Sequence, residues 1–260
     1  MDWTLTLLRA ALEGRTEDAI RVGALDRIER LRRRLIDTGA NLTFTDYGTL
    51  DNRDVPADAE PDPRGLTRTL SLGYLAEVSS MSPTQLRTVF RLVRAFRPRF
   101  CVELGSCVGI SGAYILSALA FNGAGRLLTF EGGKEVAEIA VRNLHELGFT
   151  DFEVIVGRHQ ESVAPALASA APVEFALVDG DHSERSTLMS HELLLAHAAD
   201  RAILYYDDIR WSAGMTRAWE RIGGRGSRGI RAAIDLGRAG VCLVDADHHG
   251  VPSRLTLPIE

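Results

Sequence analysis

The chain has 260 residues, of which 45% are hydrophobic and 25% are charged, as in ordinary globular proteins. Its 30 basic and 35 acidic residues give a net charge of −5, which argues against a nucleic-acid partner because such proteins usually carry a basic field. No stretch approaches the ~18 uninterrupted apolar residues of a membrane span. With no recognisable signal peptide and three cysteines that cannot all pair, we expect a soluble, cytoplasmic protein with no membrane partner.

The N-terminal part of the chain carries two contrasting segments. Apolar residues at helical spacing predict a surface helix over 16–36, which could serve a homodimer. The segment 51–64 holds three prolines and five acids, so we expect an exposed loop or a lid over the site. A further helix is predicted from Pro83 to Phe96, with Ser82 as its N-cap.

Beyond residue 99, short apolar runs alternate with segments of helical periodicity. Such alternation is typical of an α/β fold, in which a doubly wound parallel sheet is covered by helices on both faces. Two further strands, 229–235 and 240–244, follow a last helix and are separated by a short turn, which predicts one antiparallel strand. We divide the chain into an N-terminal helical and lid segment, 1–80, and a main domain, 81–260. The predicted parallel strands cover 100–104, 126–131, 152–156, 174–179 and 201–207.

Ligands of such sheets bind at the carboxyl ends of the strands. The first strand is followed by Gly105 and Gly109, which allow a tight turn and a close approach of the backbone to a ligand. The second strand ends in Glu131, an acid suited to binding the two hydroxyls of a ribose, or alternatively to facing the N-terminus of the helix that begins near Lys134. The glycine spacing differs from that of nicotinamide-binding loops and favours an adenosyl group without a pyrophosphate.

Acidic residues also end the next strands. If the strands that end in Asp179 and in Asp207 and Asp208 are neighbours, three carboxylates converge, and a divalent cation such as Mg²⁺ would relieve their repulsion. Alternatively, Asp208 caps the following helix or pairs with an arginine. His182 lies three residues after Asp179 and could act as a general base, although a single histidine is more often structural.

The segments ELGSCVGIS, TFEGG, VDGDHSE and YYDDIRWS, in this order, resemble class I S-adenosylmethionine-dependent O-methyltransferases of the metal-dependent type. The resemblance covers about residues 80–245. It implies a Rossmann-like sheet of seven strands with the last antiparallel, and S-adenosylmethionine and Mg²⁺ as cofactors. It also implies that the loop after the first strand surrounds the methionine part of the cofactor, through Glu103, Gly105, Ser106, Gly109 and Ser111.

The same resemblance assigns roles to residues elsewhere in the chain. Glu131 would hold the ribose, and His159 and Gln160 would match the loop beside the adenine. Met81 resembles the position at which family members cover the methionine end with backbone, and Asp179 would also lie beside the cofactor.

The metal and base positions distinguish two kinds of family member. Asp179, Asp207 and Asp208 match the metal ligands, but catechol-type members carry Asn in place of Asp208 and Lys in place of His182. The Asp-Gly-x-His pattern is instead similar to bacterial enzymes that methylate sugar hydroxyls of macrolides and related natural products, in which this histidine is the proposed base. We therefore expect a small-molecule hydroxyl acceptor, a sugar or a secondary metabolite, with a catechol or phenol acceptor as the alternative.

Two readings from other functional classes stay open. An NAD-linked oxidoreductase would need a pyrophosphate loop, which the first strand does not provide. A non-catalytic module that only binds the cofactor would have no need of the crowded acids at Asp179, Asp207 and Asp208.

Overall fold

The structure is a computed structural model that describes residues 19–48, 64–224 and 229–257. The helices in these ranges are α1 (Ala19–Asp37), α2 (Leu72–Val78), α3 (Pro83–Phe96), α4 (Ile110–Asn122), α5 (Lys134–Glu146), α6 (His159–Leu167), α7 (Glu184–Ala196) and α8 (Ala213–Ile222). The strands are β1 (Asn41–Asp46), β2 (Leu66–Ser71), β3 (Phe100–Leu104), β4 (Arg126–Glu131), β5 (Phe152–Val156), β6 (Val173–Val178), β7 (Ala198–Tyr206), β8 (Ile230–Asp235), β9 (Gly240–Asp245) and β10 (Ser253–Thr256).

Eight of the described strands form one sheet in the order β10-β8-β9-β7-β6-β3-β4-β5. Strands β3 to β7 pair in parallel, whereas β9 is antiparallel to both of its neighbours, β7 and β8. The predicted α/β class, with one antiparallel strand late in a parallel sheet, is confirmed. Strand β10 adds an eighth strand parallel to β8, which the sequence did not predict because all four of its residues are exposed.

The sheet is covered on both faces, as the unalternated apolar strands predicted. All five residues of β3 are buried, and its apolar residues are divided between two hydrophobic clusters: Cys101 belongs to one and Val102 to the other. The first cluster also contains Leu25 and Ile28, so helix α1 contributes to the core on this face. All three cysteines are free, as expected. None of the helices in the described ranges is long and apolar enough to cross a membrane.

The N-terminal part contains an antiparallel hairpin that the sequence did not predict. Strands β1 and β2 form a separate two-stranded sheet, in which Phe44 lies opposite Arg68. The predicted acidic loop over 51–64 lies outside the described residues except for its last position. The division at residue 80 and the homodimer stay predictions.

The helix that leads into the main sheet begins as its sequence predicted. Ser82 caps α3: its side chain accepts a hydrogen bond from the Gln85 backbone, and the Gln85 side chain accepts one from the Ser82 backbone. Pro83 occupies the first turn of this helix, where its missing N–H is not needed. This cap fixes the position of Gln85, which matters for the site described next.

Candidate active site

A cavity of about 370 Å³ opens at the carboxyl ends of the parallel strands. Its lining extends from the hairpin, at Phe44, to the turn between β8 and β9, at Arg238. Most of the residues singled out from the sequence line this cavity: Met81, Gly105, Glu131, His159, Gln160, Asp179, His182, Asp207 and Asp208.

The other predicted cofactor residues lie beneath the cavity rather than on its surface. Glu103 is completely buried, its carboxylate accepts a hydrogen bond from the Thr129 hydroxyl (2.6 Å), and burial raises its pKa to about 7. A Cβ atom at Gly109 would lie 3.2 Å from the Cα of Ala140, so this glycine permits close packing on α5. These residues, with Ser106 and Ser111, therefore support the loop after β3, and a direct cofactor contact from them stays a prediction.

The tips of β3 and β6 are packed directly against each other. The Asp179 backbone N–H donates a hydrogen bond to the Leu104 carbonyl (2.9 Å), and Gly105 has a φ of +100°. A Cβ atom at Gly105 would collide with the backbone oxygen of Asp179, so only glycine fits there. The loop after β3 and the first acid of the site consequently lie side by side.

Glu131 is held by backbone amides on one side of the cavity. Its Oε2 accepts from the Cys107 N–H and its Oε1 accepts from the Gly133 N–H, each at 2.9 Å. Burial raises the pKa of this carboxyl, whereas the backbone hydrogen bonds lower it. We call the surface formed by Gly105, Cys107 and Glu131 the cofactor wall.

Three of the other acids, together with a histidine, form a second surface that we call the acidic wall: Asp179, His182, Asp207 and Asp208. Gln85 donates a hydrogen bond from Nε2 to Oδ1 of Asp207 (2.7 Å), an orientation fixed because its other amide atom accepts from the α3 cap. Burial, followed by the charge of Asp208, raises the pKa of Asp207 to about 7. Burial and the neighbouring carboxylates also raise the pKa of Asp179.

Asp208 is paired with an arginine, the alternative that the sequence had left open. Arg238 donates from Nε to Oδ1 of Asp208 (2.6 Å) and from Nη2 to Oδ2 (3.2 Å). Both carboxylate oxygens of Asp208 are thus occupied by one guanidinium group. Asp208 also has a φ of +51°, so it lies in a left-handed turn directly after β7.

The donor set of the acidic wall fits a hard divalent cation in its chemistry, because three carboxylates share one cavity and two of them have raised pKa values. The positions of these side chains in the structure, however, do not form a metal site. Within the described ranges, no group of three or more His, Cys, Asp or Glu side chains is arranged to hold a metal ion. A cation bound by all three acids would therefore either share Asp208 with the Arg238 guanidinium or displace it.

His182 lies beside these acids. Its Nε2 is 3.7 Å from Oδ1 of Asp179, and its ring centroid is 6.2 Å from that of Trp211. Burial lowers the pKa of His182, which favours the neutral imidazole. A neutral imidazole beside the acids is the form that can accept a proton.

Several lining residues were not found from the sequence. Tyr47 lies just after β1, and its hairpin gave no periodic signal strong enough to predict. Trp211 and Asp181 stand next to residues that were singled out, so their proximity could have suggested them. Arg238 lies in the short turn between two predicted strands, and only the pairing of β9 with β7 brings that turn to the site.

Residues 102–209 match the family model of a methyltransferase domain. A transmembrane O-methyltransferase of Propithecus coquereli is 34% identical over 142 residues, which cover 53% of this chain and 51% of that protein. The protein of the same name in Homo sapiens is 36% identical over 124 residues, covering 46% of this chain and 42% of that protein. The chain spans about half the length of the curated relatives it matches.

Solved structures establish the fold over a longer range. An O-methyltransferase from Bacillus cereus, in complex with SAH, has a TM-score of 0.58 and 18% identity, covering 92% of this chain and 96% of that one. The O-methyltransferase TomG from Streptomyces achromogenes, involved in tomaymycin synthesis and in complex with SAM, has a TM-score of 0.56 and 22% identity, covering 65% and 83%. The fold of these methyltransferases and the predicted resemblance to the O-methyltransferases are confirmed.

Proposed function

We propose that this protein is an S-adenosylmethionine-dependent O-methyltransferase that acts on a hydroxyl group of a small molecule, either a sugar or a secondary metabolite. One observation carries the proposal: the cofactor wall with Glu131 and the acidic wall with Asp179 and His182 line the same cavity. A surface suited to a nucleoside and a surface suited to removing a proton from a hydroxyl therefore share one space. The match of residues 102–209 to a methyltransferase domain supports this assignment.

The cofactor wall would bind the adenosyl and methionine parts. When bound, S-adenosylmethionine supplies a methyl group on a positively charged sulfur. Glu131 can accept hydrogen bonds from ribose hydroxyls while its oxygens stay anchored to the Cys107 and Gly133 amides, since a carboxylate has about four lone-pair sites. Anchoring the acid in this way orients it before the ligand arrives, which reduces the cost of binding.

The acidic wall would bind the acceptor hydroxyl. His182 would accept the hydroxyl proton as the hydroxyl oxygen takes the methyl group, while the electrons of the former carbon–sulfur bond would stay on sulfur. Mg²⁺ held by Asp179, Asp207 and Asp208 would supply a positive charge that lowers the pKa of the hydroxyl. The cavity would exclude water from the reacting groups and hold them in line.

Calorimetry with S-adenosylmethionine, NAD⁺ and Mg²⁺ in separate titrations tests the assignment without knowledge of the acceptor. We expect S-adenosylmethionine to bind and NAD⁺ not to bind. Glu131→Ala should weaken S-adenosylmethionine binding at least roughly tenfold, because each charge-assisted hydrogen bond contributes about 1.5–3 kcal/mol. Glu138→Ala, an exposed acid on α5, is the matched control and should leave the affinity unchanged.

The result that would reject the proposal is binding of NAD⁺ in place of S-adenosylmethionine. An unchanged dissociation constant for Glu131→Ala would reject the ribose role alone. Once cofactor binding is established, a screen of hydroxyl-bearing sugars and of phenols, with methyl transfer as the readout, distinguishes the preferred acceptor class from the catechol alternative.

A further inference from the structure

Two glycines of the cavity each have an aromatic ring lying where a side chain would be. Gly132 follows Glu131, and a Cβ atom at Gly132 would lie 2.8 Å from Cδ2 of Tyr47. Gly180 follows Asp179, and a Cβ atom there would lie 2.5 Å from Cε1 of His159. Both rings line the cavity, so two acids of the site are each followed by a glycine that makes room for a ring from another part of the chain.

The Tyr47 ring is held by the hairpin that carries it and by Gly132 and Arg158 beside it. It comes directly after β1, and the hairpin lies against the end of β4, since a Cβ atom at Gly133 would be 3.1 Å from the Thr45 carbonyl. On another side, the Arg158 guanidinium carbon lies 6.0 Å from the Tyr47 ring centroid, a cation–π distance. The ring is half-buried and lines the cavity next to the turn that follows Glu131.

The chemistry of this end of the cavity points to a flat, apolar part of a ligand. The residue directly after Glu131 is Gly132, which has no side chain, and the Tyr47 ring occupies the space where one would lie. Aromatic side chains stack on nucleobases, because every base presents a π-face. Tyr47 lies beside Glu131, so one nucleoside could contact both residues, with its ribose at Glu131 and its base against the Tyr47 ring.

We propose that Tyr47 joins His159, which the family resemblance already placed beside the adenine, in forming the aromatic surface against which the adenine base of the cofactor packs. This inference rests on the proposed function, because it takes the ligand to be an adenosyl compound. Tyr47 lies outside residues 102–209, so a residue of the N-terminal hairpin completes the cofactor site of the methyltransferase domain. The hairpin is then part of the cofactor site as well as a neighbour of the predicted lid.

Calorimetry with S-adenosylhomocysteine and, separately, with adenosine tests this role. Tyr47→Ala should raise both dissociation constants about tenfold, which is about 1.4 kcal/mol, because both compounds carry the same base. Tyr47→Phe, which keeps the ring, should stay within about twofold of the wild type. Thr43→Ala is the control on the same hairpin: Thr43 is exposed, hydrogen-bonds Thr69 (2.8 Å), and should leave both constants unchanged.

A second variant approaches the same contact from the other side. Gly132→Ala places a methyl group against the Tyr47 ring and should weaken S-adenosylhomocysteine binding severalfold by displacing that ring. In a Tyr47→Ala background the collision is absent, so Gly132→Ala should then have little further effect. Such non-additivity is the signature of two residues that act through one contact.

The outcomes separate this inference from the function on which it rests. A wild-type protein that binds neither compound would overturn the proposed function and this inference together. Wild-type binding of S-adenosylhomocysteine with an equal affinity in folded Tyr47→Ala would overturn the inference alone. So would a loss of S-adenosylhomocysteine affinity with no loss of adenosine affinity, since Tyr47 would then act on the methionine end. If Tyr47→Ala fails to fold, an unchanged affinity in Gly132→Ala overturns the inference instead.

Discussion

The cofactor wall and the acidic wall hold their carboxylates by different kinds of contact. On the cofactor wall, both oxygens of Glu131 accept from backbone amides. On the acidic wall, Asp207 and Asp208 are held by side chains, those of Gln85 and Arg238. Backbone contacts are fixed by the fold, whereas a side chain can rotate away and give its place to another ligand.

This difference between backbone and side-chain contacts indicates which part of the site is arranged before a ligand binds. Burial, and after it the charge of neighbouring carboxylates, raises the pKa values of Asp179 and Asp207 even with Arg238 present, so a bound cation would relieve repulsion on the acidic wall. We therefore interpret the cofactor wall as preorganised and the acidic wall as one that changes partners on binding. Three predictions test this contrast.

The largest expected effect is a loss of turnover, without a loss of cofactor affinity, when the acidic wall alone is changed. His182→Ala should reduce kcat roughly 10²–10⁴-fold, because it removes the proposed base, and should leave the dissociation constant of S-adenosylhomocysteine nearly unchanged. His249→Ala, an exposed histidine away from the cavity, is the control. Single-turnover kinetics with an active acceptor provide the measurement. Full turnover in His182→Ala would show that His182 is not the base.

A second prediction concerns Glu103, whose charge lies beneath both walls. The pKa of this buried carboxyl is raised from 4.5 to about 7 in the folded protein, chiefly by burial. As the pH rises between these values, the unfolded chain loses this proton while the folded protein keeps it, so this group lowers the free energy of unfolding. The rise in pKa corresponds to about 3 kcal/mol, lost between roughly pH 4.5 and 7.

Glu103→Gln should remove that pH-dependent loss, because the amide stays neutral. Urea unfolding of both proteins at pH 5 and pH 8 gives the comparison, and the variant should be more stable relative to the wild type at pH 8 than at pH 5. A parallel pH dependence in the two proteins would mean that Glu103 is ionised in the fold at no cost. Glu174, whose carboxylate binds backbone amides near the amino end of β3, gives a control with Glu174→Gln.

The smallest expected effect tests directly whether Arg238 and a metal ion compete for Asp208. Arg238→Met should lower the dissociation constant of Mg²⁺, measured by calorimetry, because the guanidinium no longer competes for Asp208. We expect about a threefold to tenfold change, less than a buried pair would give, since the Arg238 side chain is 57% exposed. Arg217→Met, which breaks a pair with Glu184 instead, should leave the constant unchanged. A weaker Mg²⁺ affinity in Arg238→Met would mean that Arg238 positions Asp208 for the metal.

The parts of the fold that the sequence predicted are those with a strong burial pattern. Strands β3 and β4 begin and end where their apolar runs do, because a largely buried strand contains few polar residues. Strand β5 lies at the edge of the sheet and has no fully buried residue, but its aromatic and β-branched run FEVIV still predicted it. The hairpin strand β2 could not be found in this way, because none of its residues is fully buried. Its partner β1 buries only two of six residues.

The site was predictable to the extent that its residues end predicted strands. Asp179 and Asp207 directly follow β6 and β7, and the parallel pairing of these strands brings the two acids together. The contact between Arg238 and Asp208 depends instead on the antiparallel return of β9, and that of Tyr47 depends on the hairpin. Spacing along the chain carries no information about either contact.

The close packing of Gly105 on Asp179 limits which features of the site can be changed by amino-acid substitutions. In the proposed reaction, the gap between methyl donor and acceptor would depend on the separation of two strand tips, which the main chain fixes through the hydrogen bond from Asp179 to Leu104. Exchanging side chains around the rim leaves that gap unaltered. If the proposed function holds, substitutions in the surrounding loops could change the acceptor without changing the alignment of the transferred methyl group.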